Sequence, residues 1–391
     1  VGRQSAGLDF ALFGHQENWT TLSRIVHTLR DARHQPLSLD LVQEIVPWIP
    51  PRALAHITVT SIHDGRERCG AYIDTFITPD ELESHALKRM VAKVHAAIAC
   101  AAREGARIGA LGGFTSIVLE GAKPGAASVP TPAGLVLTTG NTLTAAFIVK
   151  GIERAASLRG STLEHDALLV IGSTGDIGSA CARYLGSRVR RLMLVARNRE
   201  RLERQGSALR AMGMDVRIAV EPRALLPEAD LVICAASLPS PSIDLTSCRP
   251  HAVVCDAGYP MNACASPRTG ARARVFHGGM GRVLGGWRSD SALLDVFYHF
   301  PLSHIAHGCM LEGMLLALDD RYEPFSQGRG CITPGRIDEI WRIALRHGFA
   351  LAPFFDEQGL WPDPPERDQS SVTAGVVIEQ GSTAVAPSTI V

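Results

Sequence analysis

The sequence predicts an α/β protein built on a doubly wound parallel sheet, with a second α/β unit ahead of it and helices after it. Three observations carry that prediction. An apolar run, Ala167–Ile171, feeds into Gly172-Ser173-Thr174-Gly175-Asp176-Ile177-Gly178 and then a helical pattern from Ser179 to Leu185. A second apolar run, Leu192–Val195, follows that helix and ends in Ala196-Arg197-Asn198. Two further runs, Asp230–Ala236 and Ala252–Asp256, end in the small residues Ala236-Ser237 and Ala257-Gly258. Small residues at the carboxyl ends of parallel strands leave room for a ligand.

Each part of the turn has a physical task. Gly172 permits the tight turn, Gly175 lets the backbone approach a pyrophosphate, and Gly178 lets the helix lie close to the strand with its amide end facing the anion. Strand, turn and helix in this order give a Rossmann-like dinucleotide site; a glycine-rich turn in an ordinary α/β domain is the plainer alternative. The second strand ends in Ala196-Arg197 where an NAD site carries Asp or Glu, and a guanidinium there matches a 2′-phosphate. The expected cofactor is therefore NADPH. Its expected binding residues are Gly172 to Gly178, Arg197, Asn198, Ala236 and Ser237.

The first half reads differently. Leu8–Gly14 is a candidate opening strand, and Ile57–Ile62 and Ala71–Ile77 form a hairpin around Asp64-Gly65. Pro79–Glu104 reads as one long helix with Asp80 and Glu81 in its first turn. Gly112-Gly113-Phe114-Thr115-Ser116 is a turn rich in amides and hydroxyls. Thr138-Thr139-Gly140-Asn141-Thr142 opens a helix running to about Leu158 that links the two halves. Gly113, Phe114, Thr115, Ser116, Asn141 and Thr142 are candidate substrate-binding residues on the cleft wall; helix capping by Thr138, Asn141 or Thr142 is the structural alternative. Later helices are expected over Leu302–Asp319 and Pro334–His347.

These elements divide the chain into an N-terminal substrate domain (1–150), an NADP(H)-binding domain (151–290), a helical segment closing the cleft (291–356) and a flexible tail (357–391). Composition sets outer bounds. In 391 residues, 39 Lys and Arg balance 39 Asp and Glu, so no broad attraction to nucleic acid is implied. Nine cysteines with no C-x-x-C spacing argue against disulfides and structural zinc. The uncharged span Pro124–Val149 is broken by prolines, threonines and Asn141, so no transmembrane segment is expected; with no signal-peptide pattern, the expected location is the cytoplasm.

Several long strings then coincide with one known family. Ala110-Leu-Gly-Gly-Phe-Thr-Ser-Ile117, Thr138-Thr-Gly-Asn-Thr142, Gly175-Asp-Ile-Gly-Ser-Ala180, Ala196-Arg-Asn198, Gly258-Tyr-Pro260 with Asn262, and Arg346-His-Gly-Phe349 occur in order, and Cys309, Glu312 and Met314-Leu-Leu316 lie among them. From about Leu8 to Phe355 the chain resembles the cyanobacterial-type long-chain acyl-[acyl-carrier-protein] reductases. It departs from them at Met280–Trp287, where they carry a more acidic, histidine-containing run. The resemblance implies NADPH-dependent reduction of a fatty acyl thioester, on acyl carrier protein or coenzyme A, to a fatty aldehyde. It also implies an acyl-enzyme on Cys309 and leaves an aldehyde-consuming enzyme as a candidate partner. A thiolate is a good nucleophile toward a thioester, and such a site needs a lowered thiol pKa and donors for the oxyanion. Glu312 shares the Cys309 helix face and is expected to orient a donor rather than activate the sulfur. An alcohol or hydroxy-acid dehydrogenase without covalent catalysis, and a nucleotide-binding protein without turnover, are the competing readings.

Overall fold

The uncharged run after Asp9 forms strand β1 (Phe10–Gly14), every residue of which is buried. The computed structural model describes residues 7–30, 35–82, 86–122, 132, 134–236, 243–258, 261–264, 273–294, 299–328 and 330–362. Helices α1 (Trp19–Leu29) and α2 (Leu39–Ile45) follow, each started by a capping side chain: Asn18 accepts from the Thr21 amide and Ser38 from that of Leu41. The hairpin β2 (Arg52–Thr60) and β3 (Glu67–Asp74) comes next, then α3 (Leu87–Arg103), β4 (Ile108–Leu111), α4 (Gly113–Ala122), β5 (Val136–Thr138) and α5 (Asn141–Leu158). Strands β3, β1, β4 and β5 lie side by side and parallel, with β2 antiparallel on β3. Their carboxyl ends, at Asp74, Gly14, Leu111 and Thr138, therefore open on one edge.

The second sheet contains β6 (Ala167–Ile171), α6 (Asp176–Leu185), β7 (Arg191–Val195), α7 (Arg199–Ala211), β8 (Val216–Ala219), β9 (Leu231–Cys234), β11 (Val253–Asp256) and β13 (Arg274–His277). The short strands β10 (Ile243–Asp244) and β12 (Ala263–Cys264) pair with each other. The sheet order is β13-β11-β9-β6-β7-β8 and every pairing is parallel. The order reverses between β6 and β9, so the Gly172 turn lies at the switch point of a doubly wound Rossmann-like sheet.

The remaining elements are β14 (Met280–Val283), β15 (Trp287–Ser289), β16 (Ile305–His307), α8 (Gly308–Leu318), α9 (Pro334–His347), β17 (Phe349–Leu351) and the pair β18 (Phe355–Asp356) and β19 (Gly359–Leu360). Strand β15 returns to the first sheet, antiparallel to β2, and β16-β14-β17 form a small antiparallel sheet. Helix α5 touches α6, α8 and α9 and is buried along its first nine residues. The described residues from Gly7 to Leu360 belong to one contact unit. No described helix is long and apolar enough to cross a membrane.

Several expectations need correction. The helix read over Pro79–Glu104 is a 3-10 turn, Pro79–Leu82, followed by α3 from Leu87. In that turn the Glu81 carboxylate accepts from the Thr78 amide at 2.9 Å, closing the 3-10 turn, and pairs with Arg89 in the first turn of α3. The Gly112–Ser116 turn is the amino end of α4, not a free loop. In the stretch read as helix from Leu302, residues 302–304 form a turn and Ile305–His307 form strand β16; α8 begins only at Gly308, where the pairing with β14 ends. Residues 291–356 are therefore not a helical cap alone. The segment expected to be a tail from 357 pairs as far as Leu360; residues 363–391 lie outside those described, as do Ser237, Tyr259 and Pro260.

Candidate active site

Gly172 has φ +80°, and a Cβ there would lie 2.5 Å from the Ala235 carbonyl oxygen, so only glycine fits. A Cβ on Gly178 would collide with the Gly172 carbonyl, which fixes how closely α6 approaches the turn. Gly175 differs. Its φ of −74° suits any residue, and an added Cβ would come no nearer than 3.2 Å to protein, at the Gly172 oxygen. Thr174 to Ile177 are partly exposed around it. The turn thus presents open backbone at the amino end of α6, a place suited to an anion.

The side chains of the turn are occupied. The Ser173 hydroxyl donates to Gln205 Oε1 at 3.0 Å, and Gln205 Nε2 donates back to the Ser173 carbonyl at 2.7 Å. The Asp176 carboxylate accepts from Asn141 Nδ2 at 3.0 Å and from the Gly330 amide at 3.2 Å. Asn198 caps α7 by accepting from the Arg201 amide at 2.9 Å. Arg197 is exposed at the end of β7; its neighbours Arg199 and Glu200 pair within α7, with Glu203 and Arg204. Ala236 lies just beyond β9, partly exposed, beside the carbonyl that crowds Gly172.

Cys309 is the second residue of α8 and partly buried. Three helix amino ends converge on it. Gly140, at φ +76° before α5, packs its Cα directly on the Cys309 backbone, where a Cβ could not fit. Gly308 packs on Thr144 of α5, a notional Cβ lying 2.6 Å from the Thr144 Cα. The backbone N–H groups of Gly113, at the start of α4, and of Met310 lie close to the Cys309 sulfur and favour its ionised form. Burial nevertheless dominates and pushes the thiol up to about 11, with Glu312 adding to the rise. The resting cysteine is a thiol, contrary to the lowered pKa such chemistry calls for.

Glu312 is fully buried and serves as a clamp. Its carboxylate accepts from the Thr138 hydroxyl, from the Leu143 amide at 2.9 Å and from the Ser326 hydroxyl at 2.9 Å. Ser326 Oγ in turn accepts from the Thr142 amide at 3.0 Å and is hydrogen-bonded to the Thr142 hydroxyl. The first amides of α5 are therefore capped by α8 and Ser326, and not by Thr138, Asn141 or Thr142 as local sequence suggested. Thr115 and Ser116 likewise turn their hydroxyls back to the carbonyls of Gly112 and Gly113, at 2.9 and 2.8 Å, while Phe114 is buried against His15 at 5.3 Å. The amide of Gly113, rather than those hydroxyls, is what α4 offers the site.

Sequence reasoning missed Ser326, Gly140 as the packing partner of Cys309, and His15; His307 was weighed as a source of positive charge or a proton for Cys309. His15 follows β1 at the carboxyl edge of the first sheet, a position that marks ligand sites and could have been flagged. His307 immediately precedes Gly308. Burial holds His15 down to about 3 and His307 to about 4, so both are uncharged at neutral pH. Among the described residues no group of three or more His, Cys, Asp or Glu is arranged to hold a metal ion.

Comparison with known proteins follows the same lines. No protein-family model matches the chain. The nucleotide-binding domain of glutamyl-tRNA reductase from Thermoplasma volcanium aligns over 34% of this chain and 84% of its own, at 15% identity and a TM-score of 0.26. The aminotransferase PigE of a Serratia species is 27% identical over 64% of this chain, a match covering 28% of that longer protein. The long-chain acyl-[acyl-carrier-protein] reductase of Synechococcus elongatus is 34% identical over 306 residues, 77% of this chain and 87% of its own. On that identity and coverage, the chain belongs to the long-chain acyl-[acyl-carrier-protein] reductases, a family of oxidoreductases.

Proposed function

We propose that the protein reduces a fatty acyl thioester, presented on acyl carrier protein or coenzyme A, to the aldehyde through an acyl-enzyme on Cys309, with NADPH as the reductant. One observation supports this most. Gly140 packs on Cys309, and its neighbour Asn141 bonds Asp176 in the glycine turn, so nucleophile and turn are joined through two adjacent residues. In this reading 1–150 hold the acyl side, 151–290 the nucleotide, and 291–356 bring in Cys309.

The residues present fit the cofactor. Open backbone at Gly175 and the α6 amino end suit a pyrophosphate, and exposed Arg197 suits a 2′-phosphate. NADPH, when bound, supplies the hydride that reduces the acyl carbon. The Cys309 sulfur bonds to that carbon and the carrier sulfur leaves, taking up the proton the cysteine gave up. The amino ends of α4 and α8 place partial positive charge beside the reacting sulfur and carbon, whereas the first amides of α5 are taken up by Glu312 and Ser326. Collapse of the reduced adduct breaks the carbon–sulfur bond, releases the aldehyde and leaves a thiolate, which takes a proton from solvent to restore the thiol. An aldehyde-consuming enzyme is the partner such a product calls for.

Steady-state assays with long-chain acyl-ACP test this reading. NADPH oxidation should match aldehyde formed, and Cys309→Ser should fall to background while binding NADPH normally. Most of the activity surviving in Cys309→Ser would favour direct hydride transfer to a bound thioester.

A further inference from the structure

We propose that the His15 imidazole donates its N–H to the acyl oxygen while the acyl group is held on Cys309; this rests on the acyl-enzyme reading above. Two independent relations lead from His15 to the sulfur. The ring edge lies against Gly112, where an added Cβ would be 3.1 Å from both Cε1 and Nδ1 of His15, and the amide of the next residue, Gly113, lies close to the Cys309 sulfur. From the other side, His307, two residues before Cys309, lies near enough to oppose any positive charge on His15. The loops after β1 and β4 and the start of α8 thus place one imidazole beside the reacting atoms.

The ring is also held and dry. It packs tilted against Phe114, with centroids 5.3 Å apart and planes at 46°, and both its nitrogens are buried from water. An uncharged imidazole has one donor and one acceptor nitrogen. It can give a hydrogen bond to a developing oxyanion without bringing a charge into the site, a use known for neutral histidines elsewhere. The Gly113 and Met310 amides face the sulfur, so a third donor aimed at the oxygen completes the stabilisation that the tetrahedral adduct needs.

The experiment compares His15→Phe, which keeps an aromatic ring between Gly112 and Phe114, with His15→Gln, which keeps an N–H donor. Both are made in the full chain and assayed with long-chain acyl-ACP beside wild type and Cys309→Ser. Loss of one oxyanion donor should lower kcat of His15→Phe by roughly 10²–10³-fold, leave NADPH affinity unchanged, and be recovered in part by His15→Gln. If His15→Phe does not fold, His15→Leu against His15→Asn makes the same comparison. A folded donor-less variant with near wild-type kcat, or equal losses in both variants together with weakened NADPH binding, would overturn the assignment. Cys309→Ser keeps the two claims apart: at background it leaves the acyl-enzyme standing when His15 fails, and if it is active the acyl-enzyme itself falls.

Discussion

Arg197 and Gly175 bear on the same ligand through different physics, so their variants should differ in kind. Arg197→Ala removes a charge-assisted contact and should weaken NADPH binding by about 1.5–3 kcal/mol in titrations while NADH changes little. Equal losses for both cofactors would show that Arg197 does not read the phosphate. Gly175→Val should fold, because φ is ordinary and the nearest protein atom to a new Cβ is 3.2 Å away, yet bind neither nucleotide. The same change at Gly178 should unfold the turn, since its Cβ meets the Gly172 backbone. These glycines were legible in the sequence because backbone conformation and close approach are local demands. Ser173, Thr115 and Ser116 were not: whether a hydroxyl faces a cleft or turns onto Gln205 or a helix carbonyl depends on which neighbour arrives. His15 was legible only by its place, just after a strand at the carboxyl edge of a parallel sheet, and not by any residue pattern.

Among elements, α5 and α8 are the pair that set the site, and Glu312 is what joins them. Glu312→Ala strands the Leu143 amide and the Thr138 and Ser326 hydroxyls in a buried position. Unmade buried hydrogen bonds cost about 1–3 kcal/mol each, so this variant should melt well below wild type and lose activity as Gly140 and Cys309 drift apart. Glu312→Gln, which keeps an acceptor oxygen, should melt between the two; a Glu312→Ala protein as stable and active as wild type would remove the clamp. Long periodic helices such as Pro334–His347 were legible, with Thr333 at the cap, Pro334 in the first turn and Gly348 at the end. The strand Ile305–His307 was not. Three residues give no period, and their strand geometry comes from β14, more than twenty residues earlier in the chain.

For the whole molecule, the parallel sheet followed from strand–helix alternation, whereas the return of β15 to the first sheet depends on pairing with β2 that no local signal announces. Global stability carries a further test at the edge of that sheet. Asp74 is fully buried, bonded by Gln16 and the Phe76 amide, and burial pushes it up to about 6. Lys93, buried nearby on the Val46 and Phe76 carbonyls, is held down to about 8. The folded state therefore holds the Asp74 proton more tightly than the unfolded chain, and the stability this contributes is lost as pH rises from about 4 through about 6. Asp74→Asn should gain on wild type by up to about 3 kcal/mol between pH 4 and pH 7, the attraction of Lys93 being already contained in the Asp74 value. Thermal melts at both pH values check this; a gap that narrows toward pH 7 would mean Asp74 is ionised at little cost.

Covalent catalysis is decided most directly by intact-mass spectrometry after incubation with long-chain acyl-ACP or acyl-CoA in the absence of NADPH. An acyl-enzyme on Cys309 predicts one added acyl mass, removable by hydroxylamine, absent from Cys309→Ser and discharged as aldehyde when NADPH is supplied. Wild-type protein that stays unmodified without NADPH, yet forms aldehyde once NADPH is added, would contradict it.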